Sequence, residues 1–121
     1  MPRNILVIDD EESIRKYFKR LLEGMGYTVE LAETGDAGRE LAVNPAVELI
    51  ITDLQMPGNP SGMDLVKALR ALRPECPVVV ISGHPTDDRL KLAGELGVEF
   101  LTKPFELSFI RQILERIFDK A

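Results

Sequence analysis

Residues 48–53 read Glu48-Leu49-Ile50-Ile51-Thr52-Asp53, an apolar run that stops at a carboxylate. Three other stretches are built the same way. Ile5-Leu6-Val7-Ile8 runs into Asp9-Asp10, Val78-Val79-Val80-Ile81 into Ser82, and Val98-Glu99-Phe100-Leu101-Thr102 into Lys103-Pro104. Short β-branched runs of this kind suit strands buried on both faces of a parallel sheet. Laid side by side, the four bring three carboxylates, a hydroxyl and an ammonium to one edge, where open α/β sheets place their sites.

Helical patterns fill the intervals. Glu11-Glu12-Ser13 starts the first, with acids at the positive end of its dipole. Ile14, Phe18, Leu21, Leu22 and Met25 follow at helical spacing, and Gly24 and Gly26 close it. Tyr27 to Leu31 alternates like an edge strand. Thr34-Gly35-Asp36 opens a second helix that Asn44-Pro45 ends. Further helices are expected over about 63–72, over 87–96 with Gly97 as its stop, and after Pro104, where Leu107, Ile110, Leu114, Ile117 and Phe118 share a stripe. Strand and helix thus alternate five times with short connections, which predicts a doubly wound, three-layer α/β sandwich forming one domain over 1–121.

The bulk composition narrows the function classes. At 121 residues with 45% hydrophobic content, the chain can bury a core without disulfides or structural metals. A net charge of −5 opposes direct binding to nucleic acid. Cys76 is the one cysteine, so no internal disulfide forms, and it reads as a small core filler compatible with a reducing compartment. No apolar stretch reaches membrane-spanning length, and Met1-Pro2-Arg3-Asn4 leads straight into a strand too short for a signal-peptide core. The expected location is cytoplasmic.

Taken singly, the polar strand ends are ambiguous. Asp53 suits a loop cap as well as a carboxylate nucleophile that forms an acyl phosphate. Asp9-Asp10 suits a solvated helix start or a Mg²⁺ site, and Ser82 and Lys103 fit ordinary turn and surface roles. One such residue at each strand end is what raises them together. Crowded carboxylates repel one another and raise their pKa values, a conflict that a divalent cation and Lys103 would relieve.

On these residues the chain resembles a response regulator receiver domain. The matching positions are Asp9-Asp10, Asp53 followed by Met56-Pro57, Ser82-Gly83 and Lys103-Pro104-Phe105, spread over all five βα units. The resemblance implies a flavodoxin-like (βα)5 fold with strand order 2-1-3-4-5, an order the general rule for doubly wound sheets illustrates with a receiver protein. It implies that Asp53 accepts a phosphoryl group from a phosphohistidine on a sensor histidine kinase or histidine phosphotransfer protein. Asp9, Asp10, Asp53 and the backbone carbonyl of Gln55 would hold Mg²⁺, for which Mn²⁺ can substitute. Lys103 would pair with Asp53 and later with the phosphoryl oxygens, aimed inward by a cis bond to Pro104, and N–H groups near Gln55 and Gly83 would complete the cradle.

Ser82 and Phe100 would form the switch, with Phe standing where this family often has Tyr; a static core aromatic is the other reading of Phe100. Gln55 and His84 occupy positions resembling those that tune phosphate lifetime, although His84 also reads as a plain loop histidine between Gly83 and Pro85. The stretch Gly58-Asn59-Pro60-Ser61-Gly62 holds one residue and one proline more than the family pattern. Phe109 and Ile113 fall off the main stripe of the last helix, so a homodimer through helix 4, strand 5 and helix 5 is an expectation beside a broad core face.

Three other functions fit less well. A phosphorylation-independent interaction module would not need every acceptor, metal, hydroxyl and lysine position filled. A small-molecule phosphohydrolase would place a second Asp two residues after the nucleophile, where this chain has Gln55, and flavin binding lacks a phosphate-cradling loop after the first strand. The receiver would not be an enzyme beyond catalysing its own phosphorylation and dephosphorylation. Its output would pass to a downstream effector domain or protein, whether the chain is a stand-alone receiver or part of a longer one.

Overall fold

A computed structural model describes residues 3–55 and 62–118. Its elements run β1 (Asn4–Ile8), α1 (Glu12–Gly24), β2 (Thr28–Ala32), α2 (Gly35–Ala42), β3 (Val47–Asp53), α3 (Gly62–Leu72), β4 (Val78–Ser82), α4 (Asp87–Leu96), β5 (Glu99–Thr102) and α5 (Leu107–Phe118). The strands form one parallel sheet in the order β2-β1-β3-β4-β5, as expected of the doubly wound α/β class.

Burial explains why the central strands are apolar throughout. All of β4 is buried, and all of β3 except Glu48. Leu6, Ile8, Ile50, Val78 and Val80 face one way and pack on Ala42, Leu65, Val66 and Leu69 from α2 and α3. Ile5, Val7, Leu49, Ile51, Val79 and Ile81 face the other way, onto Phe18 and Leu22 of α1 and Ile110 and Leu114 of α5. Each such side chain contributes about 1.5–3 kcal/mol when taken from water. Glu48 escapes because the β1–β3 register steps from Asn4↔Val47 to Ile5↔Leu49, a bulge that turns it outward to Arg3. Buried Cys76 is a free thiol whose pKa is raised by desolvation, as befits a core filler.

Two strands start one residue later than expected, each because a helix end claims the residue first. Tyr27, expected in the second strand, donates its N–H to Leu22 O and closes α1, so β2 starts at Thr28. Val98, expected to begin the fifth, donates to Ala93 O beyond Gly97, whose φ of 70° ends α4. Leu107 departs from the expected core stripe and is exposed at the start of α5, while Phe105 packs instead, its ring 5.6 Å from that of Phe18. Ile113 joins this core, whereas Phe109 is exposed. Met56-Pro57 and the extended loop, apart from Gly62, lie outside the described residues.

The sheet end opposite the acidic edge is tied by α3. Just past that helix, the Arg73 guanidinium donates to Ala42 O, Asn44 O and Val47 O at 2.8–3.0 Å. Arg70 donates to Leu96 O and Cys76 O, which joins the end of α4 to the start of β4. Otherwise α4 is lightly held, with Ala93 its one buried residue. No helix among the described residues is long and apolar enough to cross a membrane.

Gly38 of α2 lets that helix close down on β1. A Cβ there would overlap Ile8 Cδ1 and stand 2.8 Å from Ile8 Cγ1, and Ile8 is fully buried. Helix propensity favours Ala by about 1 kcal/mol, but overpacking a filled core costs about 1–3 kcal/mol. Gly38→Ala is therefore expected to lower stability by up to about 2 kcal/mol, read from urea denaturation midpoints.

Candidate functional site

Parallel pairing of β1 with β3 sets Ile8 opposite Thr52, so Asp9 and Asp53 leave adjacent strands side by side. Each of Asp9, Asp10 and Asp53 offers a carboxylate oxygen within 4.8 Å of the other two. Asp9 and Asp53 are 1% and 2% exposed, while Asp10 is open to solvent. Two buried carboxylates at this range require compensation, and the surrounding groups supply part of it.

Asp9 Oδ1 accepts the Glu11 N–H at 2.9 Å, which turns the chain into α1 without a side-chain cap at Glu11. Its Oδ2 is buried with no protein partner. Burial is the main cause that pushes the Asp9 carboxyl up from 3.8 to about 6. The Glu11 bond opposes that rise, and the charge of Asp53 adds to it. Asp53 Oδ1 accepts the Gln55 N–H at 3.0 Å, and Asp53 Oδ2 lies 3.5 Å from Lys103 Nζ. Lys103 reaches in from β5, its own N–H bonded to Ser82 O, and the Lys103–Pro104 peptide is cis.

The hydroxyl side of the site is equally ordered. Ser82 is fully buried at the end of β4, and its Oγ accepts the His84 N–H at 3.0 Å. Phe100 stands opposite Val80 in register and packs, partly buried, on the core face shared by α2 and α3. The Gly83 N–H is engaged by Gln55 Oε1 at 3.1 Å, and Gln55 Nε2 donates to His84 Nδ1.

All the strand-end residues singled out from the sequence therefore converge on one edge. Two neighbouring arginines gave no sequence signal. Arg15 of α1 donates to Asp9 O at 2.7 Å, and Arg89 of α4 donates to His84 O at 2.8 Å. Both act on backbone carbonyls across loops, a contact that residue type and spacing do not encode. The Gln55–His84 pairing was hidden because it joins two loops 29 positions apart.

This arrangement can present a buried carboxylate to an electrophile, hold a hard cation on oxygen, and offer an ammonium to an anion. The orphaned Asp9 Oδ2 fits such a cation, because a buried carboxylate oxygen left unbonded is costly.

A family model for the response regulator receiver domain matches residues 5–115. The photosynthetic apparatus regulatory protein RegA of Rhodobacter capsulatus is 31% identical over 113 residues, which span 93% of this chain but 61% of that protein. A receiver domain structure from Clostridium thermocellum superposes with a TM-score of 0.89 at 31% identity, covering 97% of this chain and 94% of that one. A response regulator from Burkholderia pseudomallei, whose structure holds a phosphorylated aspartic acid, a calcium ion and citrate, gives 0.81 at 33% identity over 95% of this chain and 66% of that one.

The raised pKa of Asp9 makes stability depend on pH. Below pH 3.8 the group is protonated in both folded and unfolded chains and costs nothing; between 3.8 and about 6 the unfolded chain releases its proton first, and stability falls. Asp9→Asn keeps an oxygen for the Glu11 N–H and removes the charge. We expect it to raise stability at pH 7 by about 1–3 kcal/mol, with the gain disappearing toward pH 4, as measured by denaturation of both proteins across that range without divalent cations.

Proposed function

The chain belongs to the response regulator receiver domain family, and from that premise we propose that Asp53 is its phosphoacceptor. A carboxylate oxygen of Asp53 would attack the phosphorus of a phosphohistidine carried by a sensor histidine kinase or histidine phosphotransfer protein. The new P–O bond forms as the P–N bond breaks, and the departing imidazole nitrogen keeps the electron pair and is protonated. The observation that carries this reading is Asp53 itself, buried at the end of β3 between two further acids and with Lys103 Nζ 3.5 Å from its Oδ2. The phosphorylated aspartic acid of the Burkholderia relative supports it.

Asp9, Asp10, Asp53 and the Gln55 carbonyl would hold Mg²⁺ or Mn²⁺, and the unpartnered Asp9 Oδ2 supports that assignment. A bound cation would supply positive charge to offset the acids and the incoming phosphoryl oxygens. Lys103 shares that task from the opposite side, moving from Asp53 Oδ2 to the phosphoryl group. The Ser82 Oγ accepts from His84 N–H at rest, which leaves its proton available to a phosphoryl oxygen. Phe100, only partly buried, would turn further inward as Ser82 moves. Gln55 and His84, at the rim, would set phosphate lifetime by controlling the approach of water.

Receivers are signalling modules, and this one would catalyse no turnover beyond its own phosphorylation and dephosphorylation. Its output would reach an effector domain or protein in the cytoplasm. The exposed Phe109 of α5 and Leu90 of α4 support a homodimer through α4, β5 and α5, which sedimentation with and without a phosphoryl mimic would test.

Incubation with Mg²⁺ and acetyl phosphate, followed by intact mass, tests the acceptor. We expect one phosphoryl adduct on the wild type and none on Asp53→Asn. Absence of the first, or persistence in the variant, overturns the assignment. Mg²⁺ alone is expected to raise the Tm at pH 7, and less so below pH 6, where Asp9 must lose a proton to bind it.

A further inference from the structure

Hydrogen bonds hold Asp9 by its N–H, its side chain and its carbonyl. The N–H donates to Ala32 O at 3.0 Å, just past the last register pair of β1 and β2, Ile8 with Ala32. Oδ1 accepts the Glu11 N–H at 2.9 Å, and the carbonyl accepts Nη1 of Arg15 at 2.7 Å. Arg15 also donates its own N–H to Glu11 O at 3.1 Å, so the turn from β1 into α1 closes on itself between residues 9 and 15. The Arg15 side chain is only 14% exposed, and its Nη2 lies 3.7 Å from Glu33 Oε2 in the segment after β2.

Asp10 has no such support. It is exposed, and among the described residues its carboxylate has neither a hydrogen bond nor an ion pair. One of its oxygens nevertheless lies within 4.8 Å of oxygens on Asp9 and Asp53. What Asp10 shares with Asp9 is a planar peptide, in which the Asp9 carbonyl and the Asp10 N–H turn together. A group that holds Asp9 O therefore fixes the direction in which Asp10 leaves the strand. Arg15 is that group, and because its guanidinium bonds a carbonyl it leaves the carboxylates open to another cation.

We propose that Arg15 is a positioning residue for the cation site: by holding the Asp9 carbonyl it sets the Asp9–Asp10 peptide so that the Asp10 carboxylate completes the acidic triangle. This rests on Asp9, Asp10 and Asp53 being the residues that hold Mg²⁺. Groups that bond a metal's ligands without touching the metal orient them, and losing one weakens metal binding about 10- to 100-fold. The charge of Arg15 acts in the opposite direction. A guanidinium beside an acidic site repels an incoming cation, so a role through charge alone predicts tighter Mg²⁺ binding once Arg15 is removed. Ordering is the larger effect, because Glu33 offsets part of that charge and salt screens part of the rest.

Arg15→Met removes the guanidinium and keeps a good helix former, and Arg15→Gln repeats the test with a polar side chain that stops short of Asp9 O. Phe18 and Leu22 still anchor α1 in both. The rise of Tm with Mg²⁺ concentration gives an apparent Kd for each protein, and both variants are expected to bind Mg²⁺ about tenfold more weakly than wild type. Backbone order measured by ¹⁵N relaxation without metal is the second readout. The Asp10 N–H is expected to drop from the rigid range, an S² of about 0.85, to below about 0.6, with the Ile5 to Ile8 amides unchanged. Unchanged or tighter Mg²⁺ binding, or an Asp10 amide as ordered as in wild type, overturns the positioning role and leaves the cation site standing. A wild type whose Tm does not respond to Mg²⁺ overturns the cation site and the positioning role with it.

Discussion

Asp9 and Asp53 are buried on adjacent strands, and the fold has to hold them there against their own repulsion and desolvation. That constraint organises the structure. The β1–β3 pairing that places them together is sealed on one face by α2 and α3 and on the other by α1 and α5. Where helix meets strand most closely, at Gly38 over Ile8, no room remains for a methyl group one residue before Asp9. Buried charge is costly unless compensated, and the compensation is incomplete: Lys103 stands at 3.5 Å from Asp53, and Asp9 Oδ2 has no partner. The site's own residues leave it short of positive charge, a deficit that a bound cation would offset.

The same incompleteness gives the site somewhere to send a signal. Rigid strands hold Asp53 and Ser82, but Gln55, Gly83 and His84 belong to exposed loops joined mainly by side-chain bonds. Beyond them, α4 has little apolar burial to resist displacement, in contrast to α3, which buries Leu65, Val66 and Leu69. Local stability follows burial, so a change in bonding at the acidic edge is most readily expressed through α4. The far end of the sheet, held by Arg70 and Arg73, provides the fixed frame against which such a change is made.

Much of this was legible because the physics is local or repetitive. The apolar runs at 5–8, 48–52 and 78–81 announce strands buried on both faces, and their polar ends announce the site. Helix limits were clear where capping is encoded by residue type, as at Thr34 and Gly97. They were less clear where the backbone of one element serves another. Tyr27 and Val98 have strand-like side chains, yet their N–H groups close the preceding helices. Leu107 has the right period for the core but lies at a helix start, where Phe105 fills the space.

The sequence by itself determined the alternation of strand and helix, the single core with two faces, and the residue types available at the acidic edge. Periodicity and composition carry that information one element at a time. Tertiary structure alone decided that Asp9 Oδ2 is stranded, that Lys103 reaches Asp53, that Arg15 and Arg89 brace loop carbonyls, and that Gln55 spans to Gly83 and His84. The Lys103 and Gln55 contacts join segments distant in sequence, and the Arg15 and Arg89 bonds close short loops whose shape depends on how five strands and their helices pack. No local pattern of residues specifies them.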